Sequence, residues 1–153
     1  MRHPEESALN ATVIEYLAHC HCGALEARYR TALAPASWSV RACQCWFCRA
    51  HAALSTSDPA GTLAFTARHI GRVHRYRFGG RSADYLICHE CGVCVGARLE
   101  TRRGRFGILN TRALRPIPAE FAEPVLMDYS DEPAEARQRR REERWTPLAT
   151  PTL

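Results

Sequence analysis

A chain of 153 residues, 46% apolar and 24% charged, is long enough to bury a core without staples and too apolar for a disordered polymer. It holds no run of about 18 apolar residues such as a membrane helix needs, and Met1-Arg2-His3-Pro4-Glu5-Glu6 puts acids where a secretion signal has an apolar stretch, so a cytoplasmic protein is expected. The net charge of +5 comes from 21 basic side chains that are all arginine, the residue that grips carboxylates and phosphates through two hydrogen bonds at once.

Residues 1–11 are polar and read as a flexible tail. Thr12–Ala18 is a first strand, and Ala24–Arg30 a half-buried one, with Leu25, Ala27 and Tyr29 on one face and Glu26, Arg28 and Arg30 on the other. Trp38–Ala42 is a strand leading into a cysteine cluster, and Phe47–Leu54 a short helix or turn. Strands follow at Thr62–Thr66, Val73–Phe78, Ala83–Ile87, Val93–Leu99 and Arg105–Leu109, with a hairpin turn at Gly79-Gly80. Pro116 and Pro118 mark the end of this run, and Val125–Tyr129 adds a last strand. Short strands separated by turn residues predict a mainly β fold rather than alternating βαβ units. Residues 132–144 form a charged helical run, with Asp131 placed to cap it and Pro133 suited to its first turn; its few apolar residues predict a solvated helix. The expected organisation is thus a tail over 1–11, a metal-binding domain over 12–130 and a charged helical tail over 131–153.

The eight cysteines, Cys20, Cys22, Cys43, Cys45, Cys48, Cys88, Cys91 and Cys94, carry the chemistry. In a chain read as cytoplasmic, thiols stay reduced, and a bridge inside Cys-x-Cys closes a strained ring, so metal binding is the better reading. Zinc takes four ligands in a tetrahedron. Cys20-His21-Cys22, read as strand, aims two sulfurs to one side, and the Cys88-His89-Glu90-Cys91 knuckle brings two more together. Joined, the halves give a closed four-thiolate site of the structural kind. Cys43, Cys45 and Cys48 supply three ligands, the number found where zinc keeps an open, reactive position. Cys94 is left over as a possible fourth ligand there. Zinc with three thiolates carries one negative charge, and Arg41 and Arg49 flank the cluster, ready to offset it or to attract a substrate carboxylate. His51 is the nearest histidine and the first candidate for proton transfer.

At these residues the chain resembles a known family. Cys20-His21-Cys22-Gly23-Ala24, Cys43-x-Cys45-x-x-Cys48-Arg49 and Cys88-x-x-Cys91-Gly92 are similar to the pattern of the glutathione-dependent formaldehyde-activating enzymes, a family that also includes centromere protein V. The resemblance implies an Mss4-like fold of small zinc-clamped β-sheets. It also implies two zinc ions per chain, a structural one on Cys20, Cys22, Cys88 and Cys91 and a catalytic one on Cys43, Cys45 and Cys48. The implied activity joins formaldehyde to glutathione as S-(hydroxymethyl)glutathione, formally a carbon–sulfur lyase in reverse. The chain departs from the pattern at Ile87, where an aromatic residue is usual, at Asn110, where an aspartate is common, and in the extra Cys94.

The expectation is therefore a zinc-dependent enzyme whose partners are a small thiol such as glutathione and an aldehyde. The alternative is a non-enzymatic zinc module that binds protein or nucleic acid, favoured by the net charge and by the arginines at 137–144. Scattered arginines and an aromatic content of 8% do not make the interleaved stacking surface that single-stranded nucleic acid needs. A metal or redox sensor built on Cys94 is a third possibility.

Overall fold

The computed structural model describes residues 11–153, so all but the last residue of the tail expected over 1–11 lies outside the described residues. Eleven strands and two α-helices make the fold mainly β with a short C-terminal helix. Strands β1 (Ile14–His19), β2 (Leu25–Thr31) and, further on, β5 (Thr62–Ala67) form a three-stranded antiparallel sheet. The rest belong to a second sheet: β3 (Arg41–Cys43), β4 (Ser55–Thr56), β6 (Val73–Tyr76), β7 (Ala83–Cys88), β8 (Cys94–Thr101), β9 (Gly104–Asn110), β10 (Val125–Met127) and β11 (Thr146–Pro147). Its path is β10-β3-β4-β9-β8-β7-β6, with β11 paired to β9. Every pairing is antiparallel except that of β10 with β3. The two helices are α1 (Trp46–Ala50) and α2 (Ala134–Arg144).

The period-2 pattern of β2 does what it predicts. Leu25, Ala27, Tyr29 and Thr31 are buried and the residues between them exposed. They join Leu63 and Phe65 of β5 against Leu86 of β7, Val95 of β8 and Leu109 of β9, so the main core lies between the two sheets. Trp38 packs edge-on against Tyr16 and Tyr29, with ring centroids 4.9 and 5.4 Å away. The sheets meet closely at Gly96, where an added Cβ would fall 2.3 Å from the Ile108 carbonyl oxygen and 2.8 Å from the Phe65 ring; only glycine fits there.

The far face of β7–β9 carries other residues. Tyr85 of β7, Phe106 and Ile108 of β9, and Ala83, Ala97 and Leu99 surround Trp145, which is only 4% exposed. Here the structure corrects the expectation of a solvated C-terminal tail. Thr146 pairs with Gly107 in the β11–β9 ladder, Asp58 N–H donates to the Thr146 hydroxyl at 2.9 Å, and the Leu148, Ala149 and Leu153 amides donate to the Arg105, Leu63 and Phe65 carbonyls. Both sheets therefore hold the segment 145–153. The helix before it buries none of its residues fully, but Ala136, Arg137, Arg140 and Arg141, at helical spacing, are half-buried on one face. The missing apolar stripe misled because long arginine stems cover surface as apolar side chains do. Pro133, not Asp131, holds the cap position of α2, and no side chain caps it.

Replacing Trp145 by alanine empties a fully packed site, a change that costs about 3–5 kcal/mol. Chemical denaturation of Trp145→Ala is expected to show one cooperative transition at a markedly lower midpoint, because 145–153 unfolds with the domain. An unchanged midpoint would mean that the segment is a detachable tail.

Candidate metal centres and cavity

The structure gathers seven of the eight cysteines into two groups, each with its sulfurs within 4.8 Å of one another: Cys20, Cys22, Cys88 and Cys91, and Cys43, Cys45 and Cys48. All eight are free thiols. The first group joins two turns. Strand β1 ends at His19, so Cys20 and Cys22 lie in the β1–β2 turn and not on a strand as read from the sequence. There the Gly23 amide donates to the Cys20 carbonyl at 3.1 Å and the Leu25 amide to the Cys20 sulfur at 3.2 Å. Cys88 ends β7 and Cys91 sits in the β7–β8 turn that follows, closed by the Gly92 amide on the Cys88 carbonyl at 2.9 Å. Gly23 and Gly92, at φ +78° and +75°, occupy the left-handed region that the two turns require.

Geometry tests whether a metal fits. Sulfurs placed tetrahedrally 2.3 Å from zinc stand about 3.8 Å apart. The Cys20–Cys22 and Cys22–Cys88 sulfurs are 3.7 and 3.6 Å apart and all four lie within 4.8 Å of one another, spacings that suit a tetrahedral ion. Burial pushes the Cys20 thiol up to about 12, whereas hydrogen bonds outweigh burial at Cys91 and bring it down to about 6. This set is closed by protein and ties the edge of one sheet to the other.

The second group is built differently. Cys43 ends β3, Cys45 caps α1, and the Cys48 amide in the first turn donates to the Cys45 sulfur at 3.4 Å. A hydrogen bond from the Cys48 thiol, more than any other contact, holds Cys43 down to about 6, and Arg140 adds to this. The same bond pushes Cys48 up. Three cysteine sulfurs within 4.8 Å of one another suit a soft cation with a position left over.

The three cysteines line a cavity of about 490 Å³. Phe47, Phe78, Tyr85 and Trp145 form its aromatic wall, and Arg41, Arg137, Arg140 and Arg141 its cationic side. Phe47 stands 4.7 Å from Phe78 and 4.8 Å from Tyr85, centroid to centroid. Strand β10 supports the trio: Met127 pairs with Cys43, and the Gln44 amide donates to the Met127 carbonyl at 2.9 Å. The chain then passes through Asp128 and Tyr129 into α2, which brings Arg137, Arg140 and Arg141 to the cavity. Arg140 lies 3.8 Å over the Tyr129 ring.

The candidates named from the sequence fare unequally. Arg41 lines the cavity and is buried, which draws its guanidinium below the usual arginine range. Arg49 is exposed on α1 and does not line the cavity. His51 packs its ring 4.4 Å from Phe47 and does not line it either. Cys94 lines the cavity but stands outside the sulfur trio as a possible fourth ligand, because its thiol turns to the Gly96 carbonyl at 3.6 Å. Burial pushes that thiol up to about 12. Asn110, which departs from the family pattern, uses the amide that an aspartate lacks: its Nδ2 donates to the Cys94 carbonyl at 2.9 Å.

Sequence reasoning missed Tyr85 and the arginines of α2. The period-2 pattern of β7 does set Ala83, Tyr85 and Ile87 apart from Leu86; nothing local says which face meets the cysteines. Burial, then Cys48, push the Tyr85 phenol up, so it stays protonated at neutral pH.

No family model matches the chain, and no curated protein matches it. A crystal structure of a Rhodobacter sphaeroides protein is similar to it, with a TM-score of 0.54 and 24% identity over 72% of this chain and 99% of that one. The likeness is one of fold.

Elemental analysis of protein purified without chelator is expected to find about two metal ions per chain. Cys20→Ser or Cys91→Ser is expected to collapse the fold, since binding energy at a closed site is folding energy. Cys45→Ser loses one ion and keeps the fold. Equal damage from all three replacements would refute the division.

Proposed function

We propose that the protein is a zinc-dependent enzyme of the carbon–sulfur lyase type, similar to the glutathione-dependent formaldehyde-activating enzymes, which joins a thiol to an aldehyde or splits their adduct. The observation that supports this most is the contrast between the two cysteine groups. One is complete in itself, and the other has three sulfurs on the wall of a ligand-sized cavity. A binding module needs only the first.

Cys43, Cys45 and Cys48 would hold a zinc ion, which would supply a Lewis-acid position that lowers the pKa of a thiol bound to it. The chain's own residues do the rest. Phe47, Phe78 and Trp145 exclude water and hold the small aldehyde against the sulfur. Tyr85 keeps its proton on Oη and offers it as a hydrogen bond to the aldehyde oxygen as charge develops there. The sulfur forms a bond to the carbonyl carbon, the carbon–oxygen π bond opens, and the proton given up by the thiol ends on the new hydroxyl. The adduct is the sum of its two parts, and the reverse reaction splits it along the same path. Free thiols suit a reducing compartment, in keeping with a cytoplasmic enzyme. No helix among the described residues is long and apolar enough to cross a membrane.

The nucleic-acid reading draws on the net charge of +5 and on the arginines at 137–144. Three of them, Arg137, Arg140 and Arg141, line the cavity, which favours a small anionic ligand over a polyanion.

Exchange spectroscopy by NMR with labelled formaldehyde and glutathione tests the proposal. Adduct formation and breakdown are expected to accelerate in proportion to enzyme, and the acceleration to vanish in Cys45→Ser. Exchange at the uncatalysed rate with fully metallated protein would contradict it.

A further inference from the structure

A second recess, of about 730 Å³, lies beside the cysteine-lined cavity and shares Ser82 with it. Six of its thirteen lining residues are arginine, against 21 of 153 in the whole chain, so the general bias toward arginine does not account for it. The fold collects them. Arg75 of β6 stands opposite Leu86 of β7, and Asp84 of β7 opposite Arg98 of β8. Residues two apart on a strand share a face, so Arg75, Asp84, Arg98 and Glu100 belong to one side of the sheet. Arg77 and Arg81 come from the segment between β6 and β7, and Arg102 and Arg103 from the β8–β9 turn. Gln138 and Glu142 of α2 add to the lining.

Six guanidiniums against three carboxylates leave an excess of three positive charges in the groove, and like charges so gathered repel. The pairing is uneven. Asp84, which is buried, is shared by two arginines, Arg77 at 2.5 Å and Arg75 at 4.0 Å. The Arg98 side chain is only 11% exposed, its carboxylate partner Glu100 is 65% exposed, and its Nε has no hydrogen-bond partner. Arg103 reaches Glu142 at 3.5 Å. Among the described residues Arg81 and Arg102 pair with no carboxylate. Arg81 also stands at φ +54°, in the left-handed region that favours glycine.

We propose that this groove binds an oligophosphate, two or three phosphates in a row, free or carried by a nucleoside. Guanidinium forks match phosphate oxygens two at a time. One carboxylate would offset a third of the excess, whereas each phosphate carries about one to two negative charges. The cations come from three separate segments, which suits a row of anionic groups better than a single point charge. Single-stranded nucleic acid needs rings on which its bases stack, and no aromatic residue is among those that line the groove. The site depends neither on the cysteines nor on the reaction proposed above.

Calorimetry on the full chain tests this with four probes: tripolyphosphate, adenosine triphosphate, the phosphorus-free trianion tricarballylate, and a short oligothymidylate. Metal content is measured before and after, so that chelation is not read as binding. Tripolyphosphate is expected to bind about 10-fold or more tightly than tricarballylate, and added salt should weaken it. Arg81→Gln/Arg102→Gln, at two exposed positions, should weaken it about 10-fold or more, as the loss of charge-assisted hydrogen bonds predicts. Arg28→Gln/Arg30→Gln removes the same charge from the exposed face of β2 and should leave binding nearly unchanged. Adenosine triphosphate that binds no more tightly than tripolyphosphate assigns the groove to phosphates alone, and tighter binding assigns it to a nucleotide. Tripolyphosphate that binds no better than tricarballylate, that loses as much in the β2 variant as in the groove variant, or that fails to bind while oligothymidylate does, would overturn the site. Should the double groove variant fail to fold, Arg102→Gln alone decides on the same criteria.

Discussion

Four sulfurs held within 4.8 Å of one another are a poor arrangement for thiols alone, which are weak donors and acceptors, and a good one for thiolates around a shared cation. The two turns that carry Cys20, Cys22, Cys88 and Cys91 belong to different sheets, and 66 positions of chain separate Cys22 from Cys88. A bond across so long a loop removes much of the freedom of the unfolded chain. A metal bound there would clip the β1-β2-β5 sheet to β7 and β8, and with that hold Phe65 packed onto Gly96. It leaves the far face of β7 and β9 free to build a second, different structure.

That second structure is the cavity. The trio ends β3 and starts α1, so its sulfurs are fixed by backbone geometry, and Asn110 ties Cys94 to the Leu54 segment that follows α1. The aromatic wall comes from α1, the β6–β7 turn, β7 and, just after α2, Trp145. The cations come from β3 and, across the whole chain, from α2. A site assembled from segments this distant works only if the last of them is held down, which Trp145, β11 and the amides of Leu148, Ala149 and Leu153 achieve.

Much of the frame was legible in the sequence because it rests on local signals. The alternation in Leu25–Arg30 defines β2 and its buried face, and cysteine spacing gives two pairs and a trio, of which the two pairs, joined as the simplest pairing, meet in space. The two-residue strands β4 and β11 escaped because they are too short to show a period. Cys20 and Cys22 sit in a turn rather than on a strand, since a spacing of two is compatible with both. The misreading of residues 131–153 has a clear cause: α2 buries arginine stems instead of an apolar stripe, and Trp145 follows a run that looks solvated. The cavity's cationic side was invisible for the same reason. Closeness in sequence to the trio points to Arg49, and α1 turns it outward; Arg141 lies far off in sequence, and the tertiary fold brings it into the cavity lining.

The central claim is that two metal sites coexist, one closed and one open. Absorption spectroscopy of the cobalt-substituted protein tests it most directly, because cobalt reports the number of sulfurs around it. Two cobalt ions per chain are predicted, both with thiolate charge-transfer bands, and addition of glutathione should change the spectrum of one while the other stays as it was. Two ions that both ignore the thiol, or that both respond to it, would contradict the account.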